Sequence, residues 1–303
     1  MPERRETPRP NKRKPMGKRG ARKNSNSDPE NWAKGERIAK YLARAGVASR
    51  REVERLIEEG VVQVNGRRLT TPAFKVRGGE HIEVRGERVK APDMIRVWRY
   101  HKPAGLITTT QDPEGRTTIF EQLPSGLPRV ITIGRLDLTT EGLLLLTNDG
   151  GLARALELPK TGIMRTYRVR AHGETTQAQL DTLKAGVTLA DGTRFARIEA
   201  ELERQTGSNN WITVKLFEGQ NREVRKAMEH LGLQVNRLIR THYGPFELAD
   251  LKTGAVDEIP PQLLRSALSE SVADEHLPEI QFKPPSAQSR RKRSPRTKRS
   301  KSI

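Results

Sequence analysis

Gly134–Gly150, GRLDLTTEGLLLLTNDG, is the stretch on which the reading of this chain turns. Asp137 stands there as an isolated carboxylate, followed by the small hydrogen-bonding residues Thr139 and Thr140 and then by an unbroken apolar run, Leu143, Leu144, Leu145 and Leu146. That run falls far short of the roughly 20 apolar residues a membrane helix needs, and it reads as a buried strand. One acid is thereby placed at the entrance to a core strand. Taken alone, such an aspartate would merely bond its own turn, as Asp commonly does. The segments on either side give it a different meaning.

Upstream, Ile95, Val97 and Arg99 alternate with Arg96, Trp98 and Tyr100 as a strand that runs into His101–Thr109, HKPAGLITT. Pro103 fixes φ and Gly105 permits a sharp turn there, next to Lys102. Downstream, Gly151–Glu157 is a short helix. Arg165–Arg170, RTYRVR, is a strand in which Tyr167 and Val169 alternate with Thr166, Arg168 and Arg170. A further strand, Trp211–Leu216, ends at Glu218 and Gly219. Asn221 is then expected to cap a helix containing Arg222, Val224, Arg225, Met228 and Leu231, stopped by Gly232. Arg222 and Arg225, three apart, would share one face of it. Leu233–Thr241 is a following strand, Pro245–Ile259 carries short strand signals, and Pro260 or Pro261 opens a last helix through Leu268. Long strands with a few interspersed helices indicate an α+β class.

Toward the front, Glu36 to about Val89 reads as one compact unit. Ile38, Leu42 and Ala45 fall at helical spacing and Gly46 supplies a stop. Ser49 caps a second helix, with Glu52 completing a capping box, and Val53, Leu56 and Ile57 face the core. Asn65 and Gly66 in VVQVNGRRL are a hairpin signal, and His81–Arg85, HIEVR, alternates like a partner strand. Ser49 and its arginines sit at a helix N-terminus, where backbone amides and the dipole favour phosphate.

These pieces resemble a known family. GRLDLTTEGLLLLTNDG, HKPAGLITT, RTYRVR and EGQNREVRKAMEHLG resemble the motifs of the RNA pseudouridine synthases, in particular the RsuA family that modifies bacterial ribosomal RNA, while YLARAGVASRREVERLIEEGVVQVNG resembles the small RNA-binding domain first described in ribosomal protein S-four. The resemblance spans about Glu36 to Leu268. It implies a small N-terminal RNA-binding domain of that type followed by a mostly antiparallel, mixed-sheet synthase domain with its site in a central cleft. It implies that Asp137 is the essential catalytic residue, that Tyr167 packs its flat face against the target base, and that Arg225, with Arg222 the alternative, pairs with Asp137. Leu238 or Ile239 would line the base pocket. Lys40, Arg44, Ser49, Arg50, Arg51, Arg67 and Arg68 of the front domain, with Lys102, Arg135, Arg222 and Lys226 behind it, are the expected RNA contacts.

Composition sharpens this picture. The formal charge is +19, of which residues 1–27 carry +8 and residues 283–303 carry +9, leaving a body of 28–282 with only +2. Such Pro-, Ser-, Arg- and Lys-rich ends cannot bury enough apolar surface to offset ordering entropy, and on a nearly neutral body they suit a nucleic-acid partner. The expected layout is a disordered basic arm over 1–35, the RNA-binding domain over 36–90, the synthase domain over 95–270 and a disordered basic tail over 271–303. Residues Lys90–Asp93 form the linker. With no cysteine, disulfides, thiolate catalysis and Cys-type zinc sites are excluded. There is no phosphate loop, dinucleotide fingerprint, carboxylate cluster or His pair at ligand spacing, so neither cofactor nor metal is expected. The start of the chain lacks the apolar core of a signal peptide. The expectation is a cytoplasmic, monomeric enzyme with no membrane contact, acting on ribosomal RNA, 23S, or on a pre-ribosomal particle. The alternatives are a synthase acting on 16S RNA or another 23S site, and a non-catalytic RNA-binding or ribosome-assembly factor.

Overall fold

The computed structural model describes residues 35–280 of the chain. They fall into two compact units, 35–41 with 50–89 and 42–49 with 90–280. The basic arm expected over 1–35 lies outside the described residues except for Gly35. Of the tail, 281–303 lies outside them.

In the smaller unit the amphipathic helix Arg50–Glu58 buries Val53, Leu56 and Ile57. These join Ile38, Val62, Val64, Leu69, Val76 and Ile82 among the buried residues of the unit. Val62–Val64 pairs antiparallel with Arg67–Arg68 on one side and with Ile82–Val84 on the other. Asn65 (φ 51°) and Gly66 (φ 75°) form the turn, both in the left-handed region that the Asn-Gly pair tolerates. The Asn65 carboxamide also accepts from His81 N at 2.8 Å, tying the turn to the neighbouring strand.

The larger unit is built on a nine-stranded sheet. Its strands are β1 (Val97–Lys102), β2 (Ile131–Ile133), β3 (Glu141–Thr147), β4 (Arg165–His172), β5 (Ile198–Thr206), β6 (Asn209–Leu216), β7 (Gln234–Tyr243), β8 (Phe246–Glu247) and β9 (Val256–Glu258). The order is β5-β6-β4-β7-β3-β1-β9, with β8 beside β7 and β2 beside β3. Within this sheet only β7 with β3 is parallel, through Ile239↔Glu141 and Arg240↔Gly142. Three helices position the site: α1 (Gly150–Glu157), α2 (Glu223–His230) and α3 (Pro261–Leu268).

The four leucines of β3 are all fully buried, and the pleat explains why the run is unbroken. Leu143 and Leu145 enter a core that includes Leu152 and Leu156 of α1 and Leu264 and Leu268 of α3. Leu144 and Leu146 enter a second core with Trp98, Tyr100, Ile119 and Leu136. A strand covered on both faces has no solvent side on which to place polar residues. A third core, on β4, β5 and β6, takes in Val224, Ala227 and Met228 of α2.

One boundary differs from the sequence reading. Val272 and Leu277 are buried in the same core as α3, so packing runs past residue 270, the expected end of the synthase domain. Residues 42–49 cluster with the larger unit, where Arg44 Nε lies 2.9 Å from Asp149 Oδ2. Asp149 also caps α1, accepting from Gly151 N and Leu152 N.

Candidate active site

Asp137 lies on the loop between β2 and β3, and the backbone of that loop is fixed peptide by peptide. The Leu136 carbonyl accepts from Thr108 Oγ1 at 2.7 Å. The Asp137 carbonyl accepts from Thr140 N at 3.0 Å and from Lys102 Nζ at 3.2 Å. The Leu138 carbonyl accepts from Gly105 N at 2.7 Å, that of Thr139 from Arg225 Nη2 at 3.1 Å, and that of Thr140 from Lys102 Nζ at 2.9 Å. Five successive carbonyls are thus held. The Asp137 carboxylate itself has no hydrogen-bond or ion-pair partner among the described residues. A plain turn cap, in which the carboxylate bonds the turn, is not what this residue does.

The loop forms one wall of a cleft of about 820 Å³. Asp137, Arg135 and Thr140 line that wall. Tyr167 of β4, Leu238 and Arg240 of β7, and Arg222 and Glu223 at the start of α2 line the rest. Sheet register sets two of these residues, Tyr167 and Arg240, side by side. A bulge between Thr166 and Tyr167 sets Tyr167 beside Arg240 on β7; Arg240 pairs with Gly142 on β3, and Gly142 with Lys102 on β1. Tyr167, Arg240, Gly142 and Lys102 therefore lie in one row across four strands. Gly142, at φ 107°, is the gap in that row. A Cβ there would sit 2.4 Å from the Arg240 carbonyl oxygen.

Several expectations need correction. Lys102, expected as an RNA contact, is fully buried and donates to three carbonyls, those of Pro103, Asp137 and Thr140. Burial pushes its pKa down to about 8, partly countered by Asp137 and Glu141. Asn221 does not cap α2. The residue before the helix is Arg222, held at φ 53° in the left-handed region, so Arg222 and Arg225 do not share a helical face. Arg222 is exposed, whereas Arg225 is buried. Neither forms the expected ion pair with Asp137. Arg225 donates instead to the carbonyls of Val235 and Thr139, and burial foremost depresses its pKa, with Arg222 adding to the fall and Asp137 opposing it. Its link to Asp137 runs through the loop backbone and the field. Ile239 is not among the cleft residues, whereas Leu238 is.

The remaining expected RNA contacts divide by exposure. Arg50, Arg51, Arg67, Arg68, Ser49 and Arg135 are exposed. Lys40 is half-buried and pairs with Glu36 at 3.2 Å, Lys226 is half-buried on α2, and Arg44 is committed to Asp149.

Sequence reasoning missed Arg240, Arg165 and Glu223. Arg240 is 2 % exposed, donates from Nε to the Leu143 carbonyl at 2.7 Å and packs over the Tyr243 ring. Arg165 is buried against the carbonyls of Ile163 and Phe217 and donates to the Tyr243 hydroxyl. Glu223 accepts from Gln220 N, and burial raises its pKa to about 7. The available signal was phase: Arg240 is two residues from Leu238 and Arg165 two from Tyr167, so both point where the pocket residues point.

The comparisons with known proteins agree with this architecture. Residues 96–230 match the family model described as RNA pseudouridylate synthase, and residues 36–82 match the S4 domain. An "uncharacterized RNA pseudouridine synthase" of Rickettsia felis is 48 % identical over 229 residues, covering 76 % of this chain and 99 % of that protein. The "ribosomal large subunit pseudouridine synthase B" of Pasteurella multocida is 44 % identical over 221 residues, covering 71 % of this chain and 64 % of that protein. Among solved structures, a pseudouridylate synthase crystal structure shares the fold at a TM-score of 0.53 and 22 % identity, covering 78 % of this chain and 99 % of that one. With the synthase model matched behind an S4 match and a relative matched along nearly its full length, this chain belongs to the RNA pseudouridine synthases.

Proposed function

We propose that the protein isomerises a specific uridine to pseudouridine in ribosomal RNA, the 23S RNA of the large subunit, with Asp137 as the catalytic carboxylate. The observation that carries this reading is the contrast within one loop: five successive carbonyls are pinned while the Asp137 carboxylate is left unbonded at the wall of the cleft. A reacting group held by its backbone but free at its reactive atoms is pre-organised for attack or proton abstraction. The likeness to large-subunit synthase B relatives supports the 23S target.

The isomerisation breaks the bond from ribose to N1 of uracil and rejoins the base through C5, so substrate and product have the same atoms and no redox partner is required. The target uridine must first leave its stack, which costs a few kcal/mol. Tyr167 offers the flat face on which the flipped base stacks, and Leu238 the apolar edge. Arg225 fixes Thr139, two residues from the carboxylate, and keeps a positive charge near it. The exposed Arg50, Arg51, Arg67 and Arg68 supply phosphate contacts, so binding and bond-making are divided between the two units.

The test is to map pseudouridines in ribosomal RNA from cells with and without the gene, then to assay purified Asp137→Asn on the RNA that lost a site. Asn keeps the size of Asp but not its charge. Pseudouridine formation is expected to vanish while thermal stability and RNA binding stay near the parent. Conversion at near-parental rate would abandon the catalytic role, and an unchanged map would leave a non-catalytic RNA-binding factor as the better reading.

A further inference from the structure

Arg240 has a feature that a structural role does not explain. Of its three guanidinium nitrogens only Nε has a hydrogen-bond partner, and Nη2 is enclosed with none. No carboxylate pairs with it among the described residues. A buried guanidinium with donors unfilled is expensive, so the side chain is poised for an acceptor that arrives from outside. Two further enclosed polar atoms without partners, Thr140 Oγ1 and Arg225 Nε, belong to residues on or bonded to the Asp137 loop. Arg240 lines the cleft and is the cross-strand neighbour of Tyr167. A base stacked on Tyr167 therefore brings its edge to the Arg240 guanidinium.

We propose that a terminal N–H of Arg240 donates to a carbonyl oxygen of the flipped uracil and stabilises the negative charge that the base acquires during the reaction. This rests on the Asp137–Tyr167 cleft being the reaction site. When the C1′–N1 bond breaks, both its electrons leave on N1, and conjugation spreads the charge over O2 and O4. Carbon 5 then forms the C1′–C5 bond with an electron pair of that anion, and the hydrogen carried by C5 ends on N1. If Asp137 instead adds to C6 of the base, the displaced pair arrives at O4. Every route thus charges a carbonyl oxygen of uracil. A fixed guanidinium in a partly dry cleft stabilises such charge without reorganising, whereas the ground-state carbonyl gains less from it.

The experiment uses the full-length protein and the ribosomal RNA segment carrying the uridine found by mapping, rebuilt with a single 2-thiouridine or 4-thiouridine at that position. Sulfur is a weaker acceptor than oxygen. With the parental protein, one of the two thio substitutions is expected to slow single-turnover conversion by about 10- to 100-fold, the range of a lost hydrogen bond to a charged group. The same substitution should slow Arg240→Lys, which keeps the charge but loses the fork, by much less. Parental conversion unaffected by either sulfur overturns the proposal without requiring any variant to fold. So does an equal thio effect in parent and Arg240→Lys. A thio-indifferent reaction whose pH profile moves in Arg240→Lys assigns the guanidinium to Asp137 instead, and the uracil contact is then wrong. Failure of the parental protein to convert the unmodified RNA overturns the proposed function itself, which separates the two failures.

Discussion

Replacing Lys102 by Met tests whether a buried ammonium holds the Asp137 loop. Met matches the length and volume of the lysine stem, so the change removes the charge and three donors without opening a large cavity. The carbonyls of Pro103 and Thr140 would lose a partner, whereas that of Asp137 would keep Thr140 N. The magnitude follows from the pKa, which falls from 10.5 to about 8 because burial disfavours the charged form. Below about pH 8 the lysine is protonated in both folded and unfolded chains. Between about 8 and 10.5 the unfolded chain binds more protons, so raising the pH favours folding, and above 10.5 both forms are neutral. At 1.36 kcal/mol per pH unit this group contributes about 3 kcal/mol of rising stability across that window. Lys102→Met lacks the contribution. The difference in unfolding free energy between parent and variant, measured by urea titration over that range, should therefore move in favour of the parent by about 3 kcal/mol. Near neutral pH the variant should also lose on the order of 100-fold in kcat with little change in RNA affinity, because a loop displaced by even ~1 Å misplaces the carboxylate. A parent-to-variant difference that is flat with pH, together with undiminished kcat, would refute this account of the loop.

Glu223 should titrate with the opposite sign. Its carboxyl is raised from 4.5 to about 7 by burial, so between those values the folded chain binds more protons and stability falls as pH rises, by on the order of 3 kcal/mol. Glu223→Gln, which stays neutral, should lose that decline in the same urea titrations; an unchanged slope refutes it. Gly142→Ala should destabilise the protein by at least about 3 kcal/mol, since its Cβ would meet the Arg240 carbonyl oxygen at 2.4 Å and amide nitrogen at 2.7 Å, backbone atoms that cannot turn aside. Parental stability in chemical denaturation would show that the β3–β7 approach is not rigid. The double change Arg50→Ala, Arg51→Ala should weaken RNA binding and make the salt slope shallower by about 2, leaving the single-turnover rate at saturating enzyme intact. Loss of that rate with unchanged binding would move these arginines into the catalytic unit.

Local rules were enough wherever a short segment decides its own conformation. Asn65-Gly66 specifies its turn because both residues tolerate positive φ, and LLLL specifies a strand covered on both faces because no position in it suits water. The resemblance of the motifs likewise implies one site for Asp137, Tyr167 and either Leu238 or Ile239, and Asp137, Tyr167 and Leu238 line the same cleft. Three things were not legible. Arg222 and Arg225 are three apart, yet the helix begins between them, and a residue in the left-handed region breaks the shared face that helical spacing implies. Lys102 reads as a solvated cation next to a Pro, and only the return of the 137–140 carbonyls over β1 shows where its charge is spent. Arg240 reads as one basic residue among several in LQVNRLIRT. Its place beside Tyr167, in the cleft that Asp137 also lines, depends on the parallel pairing of β7 with β3 and on a bulge in β7 at Thr241. Periodicity fixes which face a side chain takes within one strand, whereas the neighbour it meets on that face is fixed by register between strands far apart in sequence. That long-range choice belongs to the tertiary structure.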